Sequence, residues 1–342
     1  MRIAFLAVAL ALLAPGAALA QTRVQIAVDN LASRDGLGGN VSAVLNLQVW
    51  KTLRRAPFPN PRQLDFGSGV IYWFEDGTSV YDPETAQALV ETDGYDLLLW
   101  GAAQTYGDGV AVDVYLTAPR ERMPLATWTL KGPGGGQGAS LSLAPPRDLY
   151  AFAPVLLTRA VVQAYTSPGA LFLCSAKTLA CADRRPVGPG MVAMRQEGEW
   201  SYIRPHDGAP GWLRTPDIGA GGNDITNFAG AMVSYGRGDF EQAARLFRRV
   251  AASPTAGPAM GADAAGLAAL ALERFGDPGA QAYVEAEIAH RDVAPFLLQA
   301  AVMQAFSQGD RARAAAYVTR ASVYLDDDDP WLLAARRLSA GR

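Results

Sequence analysis

Residues able to do recognition chemistry gather in two places along the chain. Trp200, Tyr202 and Trp212 fall within one short run. Aromatic side chains there can stack on a ring or a proline of a ligand, or fill the core of a domain too small to hold together otherwise. Trp212 reads as core, whereas Trp200 reads equally as core or as surface, since large aromatics are mostly but not fully buried. Arg245, Arg248 and Arg249 share a helical stretch, where guanidinium groups can meet an acidic partner or simply face water. Cys174 and Cys181 are the only cysteines. An oxidising compartment favours their pairing, and so short a loop gives about 2 to 3 kcal/mol by the chain-entropy estimate.

Catalytic and metal-binding patterns are missing from the sequence. His206 and His290 are far apart in sequence and suggest no zinc cluster, and His206 sits in a polar turn with Asp207 as its one near carboxylate. No nucleophile motif accompanies it. The acids Asp29, Asp35 and Asp96 show no pairing. Asp326 to Asp329 lack the alternating spacing of a calcium loop and mark a helix start before Pro330. Gly132 to Gly138 is a linker by composition, because a phosphate-binding loop needs Gly-Lys-Ser/Thr opening a helix. The expectation is a chain that is not an enzyme and has no metal and no cofactor. The runner-up is an envelope hydrolase, or its targeting subunit, directed to peptidoglycan.

The N-terminus sets the compartment in which these residues act. Arg2 precedes an apolar stretch from Ile3 to Leu13, Pro15-Gly16 break it, and Ala18-Leu19-Ala20 follow. This is the pattern of a cleavable signal peptide over residues 1–20, with Gln21 as the new N-terminus. The apolar run is shorter than the ~20 residues a bilayer span needs. No cysteine follows the cleavage site and no later stretch is long and apolar enough to span, so the expected location is the periplasm, with secretion beyond the cell also open. A net charge of −3 argues against nucleic acid as a partner. Half of the 342 residues are hydrophobic, enough for real cores in two or three domains.

Three modules are predicted to carry the candidate residues. Residues 21–166 read as an α/β domain. Val24 to Val28 is strand-like, Val41, Leu45, Val49 and Leu53 lie one helical face apart, and Val70 to Phe74 is a second strand. Asp82-Pro83-Glu84 starts a helix, and the strands Tyr95 to Tyr106 and Val110 to Thr117 flank a Gly-Asp-Gly turn. Leu125 to Leu130 is one more strand, and after Pro145-Pro146 a closing helix capped by Asp148 is predicted through Leu149, Phe152, Val155, Leu156, Ala160 and Val161. The order, with Asp96-Leu97-Leu98-Leu99-Trp100-Gly101 before the hairpin, resembles the N-terminal domain of the TolB family. That likeness implies a periplasmic interaction domain without an active site. Asp29-Asn30-Leu31 stands where that family has Pro-x-Phe.

Residues 168–219 read as a small β-barrel. Gly198, Trp200 and Ile203, then Gly208, Gly211, Trp212 and Leu213, resemble the signature of bacterial SH3-like domains. Residues 222–342 read as α-helical repeats. Gly238-Asp239-Phe240 and Gly309-Asp310-Arg311 are related turns and Gly276-Asp277-Pro278 is a third, spaced by 38 (276 − 238) and 33 (309 − 276) residues. That is close to the ~34-residue period of tetratricopeptide repeats, which the segment resembles in degenerate form. Such hairpins imply a groove for a peptide or a partner helix, or alternatively a brace for the barrel. The expected partners are envelope proteins or peptides, or peptidoglycan. Mass spectrometry of the exported chain should find an N-terminus at Gln21; a chain still carrying Met1 to Ala20 would remove the basis for the compartment.

Overall fold

The computed structural model describes residues 26–29, 31–33, 41, 45, 70–72, 80–119, 125–129, 140–157, 172–178, 180–186, 191–205, 208–214, 220–291 and 294–340. The expected signal peptide, the Gly132 to Gly138 linker, Asp35, Val49, Leu53, His206 and Asp207 lie outside the described residues. Architecture is mixed: α/β content in the N-terminal half, small sheets in the middle and a helical C-terminal region.

One sheet has the order β2-β1-β3-β4, with β7 and β8 both paired to β4. Its strands are β1 (Ile26–Val28), β2 (Val70–Tyr72), β3 (Leu97–Tyr106), β4 (Gly109–Thr117), β7 (Leu149–Ala151) and β8 (Val155–Leu157). β1 runs parallel to both β2 and β3, and β3–β4 is an antiparallel hairpin whose last pair, Tyr106 with Gly109, leaves Gly107 and Asp108 as the turn. Gly107 takes a φ of 60°, which a two-residue hairpin demands. At Gly101 the φ is 152° and a Cβ would stand 1.9 Å from the Asp113 carbonyl oxygen, so no larger residue fits. β3 is buried on both faces. Leu97 and Leu99 join Ile26, Val28 and Leu116 on one side. Leu98 and Trp100 pack on the other against Ala86 and Val90 of helix α1 (Pro83–Asp93). Asp82 caps α1, its carboxylate accepting the Thr85 N–H at 2.8 Å, and Val41 and Leu45 are helical and buried.

The first half of the predicted helix after Pro146 is not formed. That segment is the broken strand β7–β8, antiparallel to β4 with Tyr150 opposite Leu116 and Val155 opposite Val112. Burial alternates, Tyr150 in and Ala151 out, Val155 in and Leu156 out, and Pro154 lacks the N–H that a helix needs at that point. Ala160 and Val161 lie outside the described residues.

A separate hairpin, β5 (Ala126–Thr129) with β6 (Ser140–Leu143), leaves the sheet and meets the helices. Next comes a three-stranded sheet of β11 (Met191–Glu197), β12 (Trp200–Pro205) and β13 (Gly211–Arg214), beside the short pair β9 (Phe172–Leu173) and β10 (Arg185–Pro186). The Cys174–Cys181 disulfide is formed, and Cys174 exchanges two backbone hydrogen bonds with Trp212, tying the short pair to β13.

Seven helices follow among the described residues: α2 (Ala220–Gly236), α3 (Phe240–Ala251), α4 (Gly257–Phe275), α5 (Ala280–His290), α6 (Pro295–Ser307), α7 (Arg311–Ala321) and α8 (Pro330–Ser339). α2, α4 and α6 end alike. Gly238, Gly276 and Gly309 have φ of 79°, 78° and 74°. The aspartate after each glycine donates its N–H five residues back, to Ser234, Leu272 and Ala305. This is the Schellman stop, in which a left-handed glycine lets the chain satisfy the last carbonyls of the helix. Asp239 and Asp310 then cap α3 and α7. Small residues bring the helices together: a Cβ on Gly266 of α4 would lie 2.5 Å from the Phe296 ring of α6.

Sheet and helices share one core. Phe228 of α2 has its ring 4.7 Å from Tyr150, 5.9 Å from Phe152 and 5.6 Å from Phe247. Trp128 of β5 stacks on Phe306 of α6 at 4.8 Å, and the buried Tyr235 hydroxyl donates to the Leu125 carbonyl. Arg147 pairs with Asp263 of α4 at 2.6 Å; burial nevertheless holds that carboxyl above its ordinary range. Replacing Phe228 with alanine should cost roughly 3 to 5 kcal/mol. Calorimetry should show one cooperative transition shifted as a whole; two transitions, with only the helical one moving, would show that the regions fold separately.

Candidate functional site

The three arginines come together on the outer side of the helical region. α3 and α5 flank a groove of about 550 Å³ whose floor is the end of α4. Arg245, Arg248 and Arg249 line it from α3, Leu272 and Phe275 from α4, and Tyr283 from α5. The sequence positions them this way because α3 is strongly two-sided. Ala243, Leu246, Phe247 and Val250 are buried, and the arginines fall on the exposed remainder.

Charge in the groove is unevenly satisfied. The Arg248 guanidinium lies 5.3 Å from the centre of the Tyr283 ring, and Arg245 donates to the Gln242 side chain. Among the described residues no carboxylate closes an ion pair with any of the three arginines. Three acids also line the groove: Glu241 from α3, Glu287, which pairs with Arg291 at 2.9 Å, and Asp277, which accepts the Gly279 N–H at 2.7 Å. Phe275 is 51 % exposed at the rim. The Tyr283 hydroxyl is buried and meets no hydrogen-bond partner among the described residues, and burial pushes its pKa up. Unpaired guanidinium groups beside apolar surface suit a segment that carries both carboxylate and apolar side chains.

The inner side of the helical region is already covered. α2, α4 and α6 are the helices that meet Tyr150, Leu125, Arg147 and Trp128 through the contacts described above. The groove of the arginines therefore lies between α3 and α5, the outer partners of the helical pairs, rather than along the inner row.

The aromatic residues form a second surface. Trp200 and Tyr202 share one face of β12, and Tyr202 pairs with Trp212 of β13, their rings 5.0 Å apart. Ser201, Ile203 and Leu213 point the other way and are buried. Trp212 is buried at 7 % exposure, as expected of a core residue, while Trp200 and Tyr202 are half-buried. Two cations of the chain itself cap Trp212. Lys177, from the loop that the disulfide closes, is 5.2 Å from its ring, and Arg195 is 4.9 Å away. Glu197 pairs with both cations. A ring binding there must displace them, at a cost of about 0.5 to 1 kcal/mol for each exposed cation–π contact.

Other polar candidates have structural duties. The Asp29 carboxylate is buried and accepts the Val80 N–H at 2.7 Å. Asp329 caps α8, as its place before Pro330 predicted. The donor atoms of Cys174, Cys181 and Asp183 lie within 4.8 Å of one another, but the sulfurs are bonded together and Asp183 accepts the Ser175 N–H. No helix among the described residues is long and apolar enough to cross a membrane. Phe275, Leu272 and Tyr283 were not singled out from sequence; an apolar residue just before a helix-ending glycine, as at Phe275-Gly276, is the one local sign of them.

Compared with protein-family models, curated proteins and solved structures, the chain matches none.

A buried hydroxyl without a partner costs about 1 to 3 kcal/mol. Tyr283→Phe should therefore leave the melting temperature unchanged or raise it; a clear fall would show that the hydroxyl is hydrogen-bonded in solution.

Proposed function

We propose that the chain is a non-catalytic adaptor of the periplasm, which holds envelope proteins or peptides on degenerate tetratricopeptide-like helical pairs. An SH3-like sheet serves as a second surface, towards protein or peptidoglycan. The observation that carries this reading is the groove between α3 and α5, where three arginines without ion pairs among the described residues line an apolar floor. The three identical glycine-aspartate stops support a repeated helical unit. The α/β domain, of the kind the TolB-like order implies, gives that unit its platform through the shared core. A disulfide and the absence of a spanning helix among the described residues fit an exported chain.

Removing the helices would uncover Tyr150, Phe152 and Trp128, so point changes test the reading better than truncation. A photo-crosslinking residue at Phe275 in intact envelopes should capture specific envelope proteins. Capture should fall about tenfold or more in Arg245→Glu/Arg248→Glu, the loss of two charge-assisted contacts, and persist in Trp200→Ala/Tyr202→Ala. Capture that follows the aromatic pair instead would move recognition to the three-stranded sheet, and no capture at all would overturn the groove as the binding part.

A further inference from the structure

Two exposed surfaces, far apart along the helical series, have complementary chemistry. The first is the arginine groove with Phe275 at its rim. The second is the tip between α7 and α8. There Val323 is 77 % exposed and Tyr324 42 %, and Asp326, Asp327 and Asp328 follow, all exposed. Asp327 pairs with Arg336 at 3.1 Å and Asp329 is occupied as the α8 cap. The carboxylates of Asp326 and Asp328 make no hydrogen bond or ion pair among the described residues. Within the helical region the exposed large hydrophobics among the described residues are Phe275, Val323, Tyr324 and Leu333 of α8.

We infer that the groove of one copy receives the Val323 to Asp328 tip of a second copy. Asp326 and Asp328 meet the guanidinium groups of Arg245, Arg248 and Arg249, and the apolar residues before them cover Phe275. The groove follows α3 from Glu241 to Ala252, about 16 Å at 1.5 Å per residue. The tip is folded into turns, with Tyr324 donating its N–H to the Ala321 carbonyl and Asp329 its N–H to that of Asp326, so it is compact and fills part of that length. Because groove and tip are different patches of the same chain, the contact is heterologous, and each added copy leaves one groove and one tip open at the ends. The inference rests on the reading of the groove as a recognition surface and names an occupant for it.

Sedimentation velocity of the purified chain tests it. The average mass should rise with concentration at low salt and return to that of the monomer at high salt, where exposed charges are screened. Arg245→Glu/Arg248→Glu and Asp326→Lys/Asp328→Lys should each weaken association at least tenfold. Mixing the two variants should restore it, because the unaltered tip of the first meets the unaltered groove of the second. Arg245→Gln/Arg248→Gln, which adds no negative charge near the end of α3, gives the same loss if the glutamate variant does not fold. A native chain that stays monomeric at low salt, or a mixture that associates no better than its parts, overturns the self-contact. If the native chain is monomeric while Phe275 still captures envelope proteins in an arginine-dependent way, the adaptor reading stands and only the self-contact fails. Association without such capture supports the self-contact and removes the adaptor reading.

Discussion

The aromatic contact of Phe228 with Tyr150, Phe152 and Phe247 is the interaction on which the remaining architecture depends. On the inner face of the sheet, Leu97, Leu99 and Leu116 share a core with Val41 and Leu45, both helical, while α1 lies on the opposite face. α2 adds Phe228 against Tyr150 and Phe152 at the β7 side of that core, and through Phe247 it also positions α3. A sheet with one apolar face must bury that face against something. Here the helical series buries the part of it that Tyr150 and Phe152 provide.

That constraint explains why the arginine groove is on the outside. Once α2, α4 and α6 are turned towards the sheet and the β5–β6 hairpin, the polar faces of α3 and α5 are left to water. The glycine-aspartate stops keep the pairs in step, because each reverses the chain by the same geometry before the next helix is capped. Charge can then gather on α3 without disturbing the core, since Ala243, Leu246, Phe247 and Val250 already hold that helix in place.

Local patterns were legible in the sequence and long-range pairings were not. The Asp82 cap, the hairpin around Gly107, the aspartate caps of α3, α7 and α8 and the disulfide all follow from residues near one another in the chain. The closing helix was misread because Phe152, Val155 and Leu156 fit a helical face as well as a strand, and only pairing with β4, with Pro154 between, decides the matter. The groove was half legible. A helix with one apolar face showed where the arginines would sit. That Phe275 and Tyr283 complete the site depends on how α4 and α5 cross α3, which no local pattern encodes. The cations over Trp212 were likewise hidden, since Lys177 and Arg195 reach that ring from separate segments.

The shared core also sets a timetable for the growing chain. Tyr150 and Phe228 are 78 residues apart (228 − 150), so the sheet is synthesised well before the helix that covers it. At about 5 to 20 residues per second, the usual rate of synthesis, the apolar face waits several seconds for α2. During that interval the half-made protein presents Tyr150 and Phe152 without the Phe228 ring that covers them. Its need for a holding factor is then set by the distance along the chain between two aromatic residues, and shortening the middle segment would shorten the wait.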